Sequence, residues 1–253
     1  MKNTLYLILI TVLISSCGVK YKTIPYFVDL EEANVAEDIN NQTVLRIQKD
    51  DILTIVVSSL NAEANDIFNT ANNKSGSSNK AEEIAGFTVD KAGNVYLPYL
   101  GAVKVAGLST AEARELIQLK LNEGNYLKNA VVSLRLANFK ISVLGDVARP
   151  GVYPIQTERV TVIEALGLAG DLNITAKRND VLLIRENLGK RQQIRLDLQS
   201  KDIFNSPYYY LENNDVLVIT PSSAKYASVD ASYRNVSLII SALSVIALLI
   251  TRL

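Results

Sequence analysis

The sequence predicts an α+β protein made of two small modules and ending in a single transmembrane helix. Short runs of alternating apolar residues between turn residues indicate strands, and two capping boxes, Ser109 with Glu112 and Thr161 with Glu164, indicate the starts of a helix of moderate length and a short helix. An apolar run occupies residues 236–253. The 253 residues suffice for two compact modules that each bury a core.

The composition argues against several classes of function. The chain has 26 basic and 26 acidic side chains, so no general field draws it to nucleic acid. It has no His and a single Cys, Cys17, which removes the commonest general base, the commonest zinc ligand and any spare thiol. Asp50 and Asp51 are adjacent, and we interpret them as turn residues because neighbours on a strand point to opposite faces. We therefore assign no catalytic, cofactor-binding or metal site.

The N-terminus has the pattern of an export signal. Residues 1–16 carry Lys2 and then an apolar core too short to span a membrane stably. Ile-Ser-Ser directly before Cys17 resembles the bacterial lipobox, which implies a lipidated cysteine at the mature N-terminus; the alternative is an ordinary signal peptide with an incidental Cys. Gly18 in place of Asp favours outer-membrane delivery. Residues 17–42 then form an extended leader.

The first module is expected over residues 43–138. Residues 44–57 predict two apolar strands on either side of a turn at residues 49–51, and residues 61–83 predict a mobile surface loop. A strand, a turn at Gly93 and a second strand follow. The helix that begins after Ser109 should end at Gly124 and bury Ala113, Leu116, Ile117 and Leu121, and residues 131–136 predict an alternating strand.

The second module is expected over residues 139–221. It contains a strand block at residues 141–153, the short helix after Thr161, and strands at residues 181–185 and 196–198. A turn at Asn214 and Asp215 precedes the closing strand. Residues 222–235 are predicted as a linker to the transmembrane helix at 236–253.

Two motifs carry a resemblance to a known family. Lys49-Asp50-Asp51, Gly93 and Gly107-Leu108-Ser109 occur in an order similar to that of the periplasmic polysaccharide export domain, although the family usually has Gly-Asp where this chain has Lys49-Asp50. Val-Leu-Gly-Asp-Val at residues 143–147, followed by Pro150-Gly151, resembles the start of the soluble-ligand-binding β-grasp domain.

The resemblance implies a function without catalysis or cofactors. It implies an outer-membrane translocon subunit for capsular or extracellular polysaccharide, with both modules in the periplasm. It also implies a homo-oligomeric ring, for which the family precedent is an octamer, and an inner-membrane polysaccharide co-polymerase that carries tyrosine kinase activity as a partner.

The C-terminal run is long enough to span a membrane narrowly. As a helix its 18 residues cover about 27 Å, against a hydrocarbon core of about 30 Å. At about 100° per residue, its hydroxyl side chains fall within about 40° of Ser237 and form one stripe, interrupted by Leu248. We interpret this stripe as the inner face of a pore-forming ring; the alternative is a chance alignment in a simple anchor. The candidate pore-lining residues are Ser237, Ser241, Ser244 and Thr251.

Two tyrosines are candidate glycan contacts. Tyr208 and Tyr210 would share one face of a strand, where their rings could stack on sugars; packing within a half-buried strand is the alternative role.

The sequence leaves other functions as rivals. A non-conducting glycan-binding or scaffold lipoprotein of the envelope would use the C-terminal helix only as an anchor. A glycan-cleaving enzyme would need two opposed carboxylates about 5 to 10 Å apart, and the sequence indicates no such pair.

Overall fold

The computed structural model describes residues 25–30, 39, 44–60, 62–69, 84–124, 126–127, 129–187, 189–229, 239–242 and 244. These residues form two modules of mixed helices and strands, each with its own buried apolar core, which confirms the predicted combination of α and β structure. The predicted signal peptide, Cys17 and most of residues 236–253 lie outside the described residues. Within the described ranges, no helix is both long enough and apolar enough to cross a membrane.

The first module combines a small antiparallel sheet with a separate hairpin and two helices. In chain order its elements are β1 (Ile52–Ser58), α1 (Ala62–Asn69), β2 (Phe87–Thr88), β3 (Asn94–Leu97), β4 (Gly101–Lys104), α2 (Thr110–Glu123) and β5 (Val131–Leu136). The sheet order is β2-β1-β5, and β3 pairs with β4. One face of α2 and the alternating side chains of β1 and β5 build the core.

The second module is a five-stranded mixed sheet with one helix on it. Its elements are β6 (Lys140–Gly145), β7 (Gly151–Pro154), α3 (Val162–Leu168), β8 (Ala176–Asn187), β9 (Lys190–Leu196), a 3₁₀ helix (Lys201–Asn205), β10 (Val216–Pro221) and α4 (Ser223–Val229). The order is β7-β6-β10-β8-β9, in which β6 and β10 are parallel and the other pairs antiparallel.

Both predicted capping boxes are present and start α2 and α3. The Ser109 hydroxyl accepts from the Glu112 backbone N–H at 3.1 Å, and the Glu112 carboxylate accepts from the Ser109 N–H at 2.7 Å. Thr161 and Glu164 make the same reciprocal pair at 3.1 and 2.7 Å. Each cap contributes about 1 kcal/mol to the stability of its helix.

The predicted mobile loop at 61–83 is wrong in its first part, because residues 62–69 form α1. Phe68 is only 2% exposed and packs in the core of the first module. Asn69 donates to the Val57 carbonyl and accepts from its N–H, both at 3.0 Å, and Asn65 makes similar bonds with Ser59. These side-chain amides thus bond to the backbone of Val57 and Ser59 at the end of β1, where β2 does not reach.

Three strand predictions also need correction. Residues 44–48 form no strand apart from an isolated bridge at Arg46, because Ile47 exchanges backbone bonds with Leu108 and Gly107 ahead of α2. The turn at Gly93 is present, but the strands before and after it do not pair with each other, since β2 pairs with β1 and β3 pairs with β4. The strand expected at 196–198 instead runs over Lys190–Leu196. Its basic exposed residues suit an edge strand, where charge discourages further pairing.

We expect Phe68→Ala to destabilise the protein by about 3–5 kcal/mol, since truncating a buried aromatic side chain leaves a cavity. Ile67→Ala is the matched control, because Ile67 lies on the same helix and is 41% exposed. Chemical denaturation measures both free energies of unfolding. Equal small losses for the two variants would show that α1 does not dock.

Candidate functional site: the junction and cleft between the modules

A pair of hydrogen-bonded turns joins the two modules. Asp51 ends the turn before β1, is 2% exposed, and accepts from the Gln48 N–H at 2.7 Å. Its other oxygen accepts from the side-chain amide of Asn213 at 2.8 Å, and the Asn213 oxygen accepts from the Lys140 N–H at 3.1 Å. Burial raises the pKa of Asp51. One asparagine therefore connects the first module, the start of β6 and the turn before β10.

A buried arginine holds that second turn in shape. The Arg185 side chain on β8 is 5% exposed and donates to both carboxylate oxygens of Asp215, the shorter contact being 2.6 Å. It also donates to Glu212 at 2.8 Å and to the Tyr210 carbonyl at 3.0 Å. Burial opposes the charge, but the two carboxylates outweigh it and raise the pKa of Arg185. The guanidinium thus stays ionised and fixes residues 210–215.

An open cleft of about 960 Å³ lies beside this junction. It is bordered by the segment before β1, the β4–α2 connection and the β8–β9 hairpin. The lining residues are Val44, Arg46, Ile47, Gln48, Lys49, Lys104, Ala106, Gly107, Glu186, Asn187, Gly189, Lys190, Arg191 and Glu212.

The cleft is basic although the whole chain has no net charge. Five of its lining side chains are cationic and two are carboxylates. Both carboxylates are already paired, Glu212 with Arg185 at 2.8 Å and Glu186 with Arg191 at 2.6 Å. Sequence reasoning missed this site because its cations come from distant segments that only the packed modules bring together.

The Val-Leu-Gly-Asp-Val motif has a structural reason at the end of β6. Gly145 has φ +97°, and an added Cβ would lie 2.1 Å from the Ile219 carbonyl oxygen, so only glycine fits there. The next residue, Asp146, is buried and accepts from Asn173 at 2.9 Å, Thr175 at 2.6 Å and Lys225 at 2.5 Å. Burial acts to raise the pKa of Asp146, but these bonds outweigh it and leave the pKa lowered. Through Lys225 the motif anchors α4, which occupies the start of the predicted linker.

Residues 25–30, which we call the leader segment, attach to the same module. The Phe27 and Val28 N–H groups donate to the carbonyls of Leu198 and Gln199 at 3.1 and 2.7 Å. Tyr26 donates its hydroxyl to Asp171, and its ring covers the buried Arg178 guanidinium at 5.4 Å. Asp171 lies in the loop that also contains Asn173 and Thr175. The leader segment and α4 therefore reach the same part of the second module.

The candidate glycan contacts are not together on a strand. Tyr208 lies in the turn that follows the 3₁₀ helix, whereas Tyr210 forms an isolated antiparallel bridge with Thr161. Tyr210 is 8% exposed, so burial leaves little of its ring for a sugar and corrects the expectation that it acts together with Tyr208. Tyr208 is half-buried, with the Arg185 guanidinium 5.6 Å from its ring centre. A glycan contact at Tyr208 stays a prediction.

The candidate pore-lining residues are covered only in part. Ser237 and Thr251, like Cys17, lie outside the described residues, whereas Ser241 and Ser244 lie in helical backbone. The Ser244 hydroxyl donates to the Ile240 carbonyl at 2.8 Å, a bond within its own helix that satisfies the hydroxyl without water. Their orientation in an assembly stays a prediction.

Among the described residues, no group of three or more His, Cys, Asp and Glu side chains could hold a metal ion.

Two family profiles match adjoining parts of the chain. Residues 40–137 match the profile described as polysaccharide biosynthesis/export protein, and residues 139–219 match the profile of the SLBB domain. The boundary between them falls at the junction formed by Asp51, Asn213 and Lys140.

Similar proteins include bacterial export proteins. The EPS I polysaccharide export outer membrane protein EpsA of Ralstonia nicotianae is 30% identical over 158 residues, which are 59% of this chain and 40% of the relative. Its counterpart in Ralstonia solanacearum is 27% identical over 200 residues, 76% of this chain and 52% of the relative. The polysialic acid transport protein KpsD of Escherichia coli is 40% identical over 68 residues, 26% of this chain and 12% of the relative. The chain thus spans about half the length of the relatives it matches most extensively.

We expect Arg185→Met to destabilise the protein by about 3–5 kcal/mol at neutral pH, because it leaves buried carboxylates without their partner. Arg191→Met is the matched control, since Arg191 pairs with Glu186 on the surface and its loss should cost less than about 1 kcal/mol. Chemical denaturation measures both.

The pH dependence of that loss distinguishes buried charge from lost packing. Burial raises the pKa of Glu212 and of Asp215, and Arg185 opposes the rise. Without Arg185 their folded-state pKa values lie further above those of the unfolded chain, so the variant loses stability as the pH rises through them. The difference between Arg185→Met and wild type should therefore shrink in acid. A difference that is constant with pH would contradict the role of the carboxylates.

Proposed function

Because the chain belongs to the polysaccharide biosynthesis/export protein family, we propose that it is an outer-membrane subunit of a translocon that exports capsular or extracellular polysaccharide. The observation that carries the proposal is the match of two adjoining profiles to the two modules. The names of the relatives, an EPS I polysaccharide export outer membrane protein and a polysialic acid transport protein, support the substrate class and the outer membrane.

The topology of the second module supports its assignment as a β-grasp domain. Its strand order places the first and last strands, β6 and β10, side by side and parallel at the centre of the sheet. The hairpin partners β7 and β9 lie at the two edges, and α3 contributes Val162, Ala165 and Leu166 to the core. A module of this shape presents loops and edges for contacts with other subunits.

The contacts of the leader segment and of α4 with the second module support an orientation of the protein at the membrane. With Cys17 lipidated, seven residues lie between it and Pro25, and the eight steps along the chain, at about 3.4 Å each, reach at most about 27 Å. The leader segment then binds the second module near Asp171, and Lys225 of α4 binds Asp146 nearby. We therefore orient the second module toward the outer membrane and the first toward the periplasm, where an inner-membrane co-polymerase with tyrosine kinase activity would meet it.

In the proposed function, the protein provides a path for the polymer and catalyses no reaction. The buried carboxylates of Asp51, Asp146 and Asp215 are all engaged in structural hydrogen bonds. Residues 236–253 would form a helix whose copies assemble into a homo-oligomeric ring. Its hydroxyl side chains would offer a polar polymer weak hydrogen bonds, which allow movement where charged groups would hold it.

We expect Ser241→Leu combined with Ser244→Leu to reduce polysaccharide export several-fold without preventing assembly, because two bulky apolar groups would narrow and dry the pore. Ala242→Leu adds apolar bulk on the other side of the helix and should export normally. Surface polysaccharide reports export, and the size of the detergent-extracted complex reports assembly. Normal export by the serine variant, or by a chain that lacks residues 236–253, would instead support the non-conducting scaffold.

A further inference from the structure

We propose that the basic cleft between the modules binds the carboxylate groups of an acidic glycan. The inference rests on the proposed export function and adds to it the chemistry of the polymer and a place where the chain is held. The cleft volume of about 960 Å³ lies within the usual range for ligand sites, which accommodate several sugar-sized groups.

The charge of the cleft is available to a ligand. Glu186 and Glu212, its two carboxylates, are neutralised by Arg191 and Arg185. Within the described part of the chain, neither Lys49 nor Lys190 forms an ion pair, and both side chains are exposed. An anion in the cleft would therefore gain attraction without first breaking a salt bridge.

The free cations come from both modules. Lys49 lies in the turn before β1, next to the junction residue Asp51, and Lys190 begins β9 in the second module. Arg46 on the first module is exposed too, but its guanidinium already donates to the Gly107 carbonyl at 2.7 Å and lies 3.8 Å from the Glu112 carboxylate, so it is not counted among the free cations. The bonds between Asp51 and Asn213 set the separation of these groups. A carboxylate-bearing polymer would thus contact both modules across a fixed junction.

The uncharged lining suits hydroxylated sugars better than a protein segment. Gln48 and Asn187 provide amide groups, which can both donate to and accept from hydroxyls. Gly107 and Gly189 leave open space in the cleft, since an added Cβ at either would meet nothing within 4 Å. No aromatic side chain lines the cleft in the described part of the chain, whereas protein interfaces are usually centred on buried aromatic anchors.

Binding of a labelled oligogalacturonate to the full-length protein in detergent tests the inference. Fluorescence anisotropy at low and physiological salt measures the affinity, and a neutral dextran oligomer is the competitor. Lys49→Glu with Lys190→Glu should weaken binding about tenfold or more, because each reversal replaces an attraction with a repulsion. Lys120→Glu with Lys177→Glu changes the net charge equally at exposed sites outside the cleft, and it should bind like the wild type.

Three results would overturn the inference. The first is equal weakening in both double variants, which would indicate a general charge effect. The second is competition by dextran as strong as that by unlabelled oligogalacturonate. The third is tighter binding of a poly-glutamate peptide that depends on Lys49 and Lys190, which would identify an acidic protein segment as the partner. Weakening confined to the cleft variant, together with weaker binding at higher salt, supports the inference.

Export in the native host separates this inference from the proposed function. Normal export by cells that lack the chain would overturn the proposed function, and the inference with it. If the chain is required but Lys49→Glu with Lys190→Glu exports and binds like Lys120→Glu with Lys177→Glu, only the cleft is overturned. Reduced export confined to the cleft variant supports both.

Discussion

The arrangement of the two modules depends on one buried ion pair. Arg185 and Asp215 are both removed from water, a costly step that is offset only because the guanidinium finds several acceptors in good geometry. These bonds shape the turn that carries Asn213, and Asn213 in turn binds Asp51 and Lys140. Removing the arginine would therefore affect more than the core of one module, because it would loosen Asn213, which bonds to both sides of this junction.

The junction also positions the residues of the cleft. Lys49 is two residues from Asp51, and Glu212 is one residue from Asn213, so the bonds that join the modules also place two sides of the cleft. The attachments of the leader segment and α4 are on the second module, near Asp171 and Asp146. A chain held at the membrane through that module would present the cleft and the first module further into the periplasm.

Local signals in the sequence predicted local structure well. The capping boxes at Ser109 and Thr161 placed two helices, because each involves bonds within four residues. The alternation of apolar and polar residues over 131–136 predicted β5, because this pattern too can be recognised within a few neighbouring residues. The helix α1 was missed because Phe68 is its main apolar anchor and its amides bind β1, a tertiary contact that composition does not show.

The candidate site could be predicted less well than the fold. The burial of Arg185 depends on Asp215 and Glu212, about thirty residues away, and a lone arginine in a strand pattern gives no sign of it. Lys49 and Lys190 are in different modules, so only packing reveals their shared cleft. The family motifs indicated the class of function, yet the cleft, the leader attachment and the burial of Tyr210 required coordinates.

The proposed function requires copies of this chain to assemble into a ring around a path for polysaccharide. Electron microscopy of the full-length complex, extracted from the outer membrane in mild detergent, tests it most directly. We expect closed rings with a central opening, the second module beside the detergent belt and the first module furthest from it. Monomers without a central opening, or rings in which the first module contacts the detergent, would contradict it.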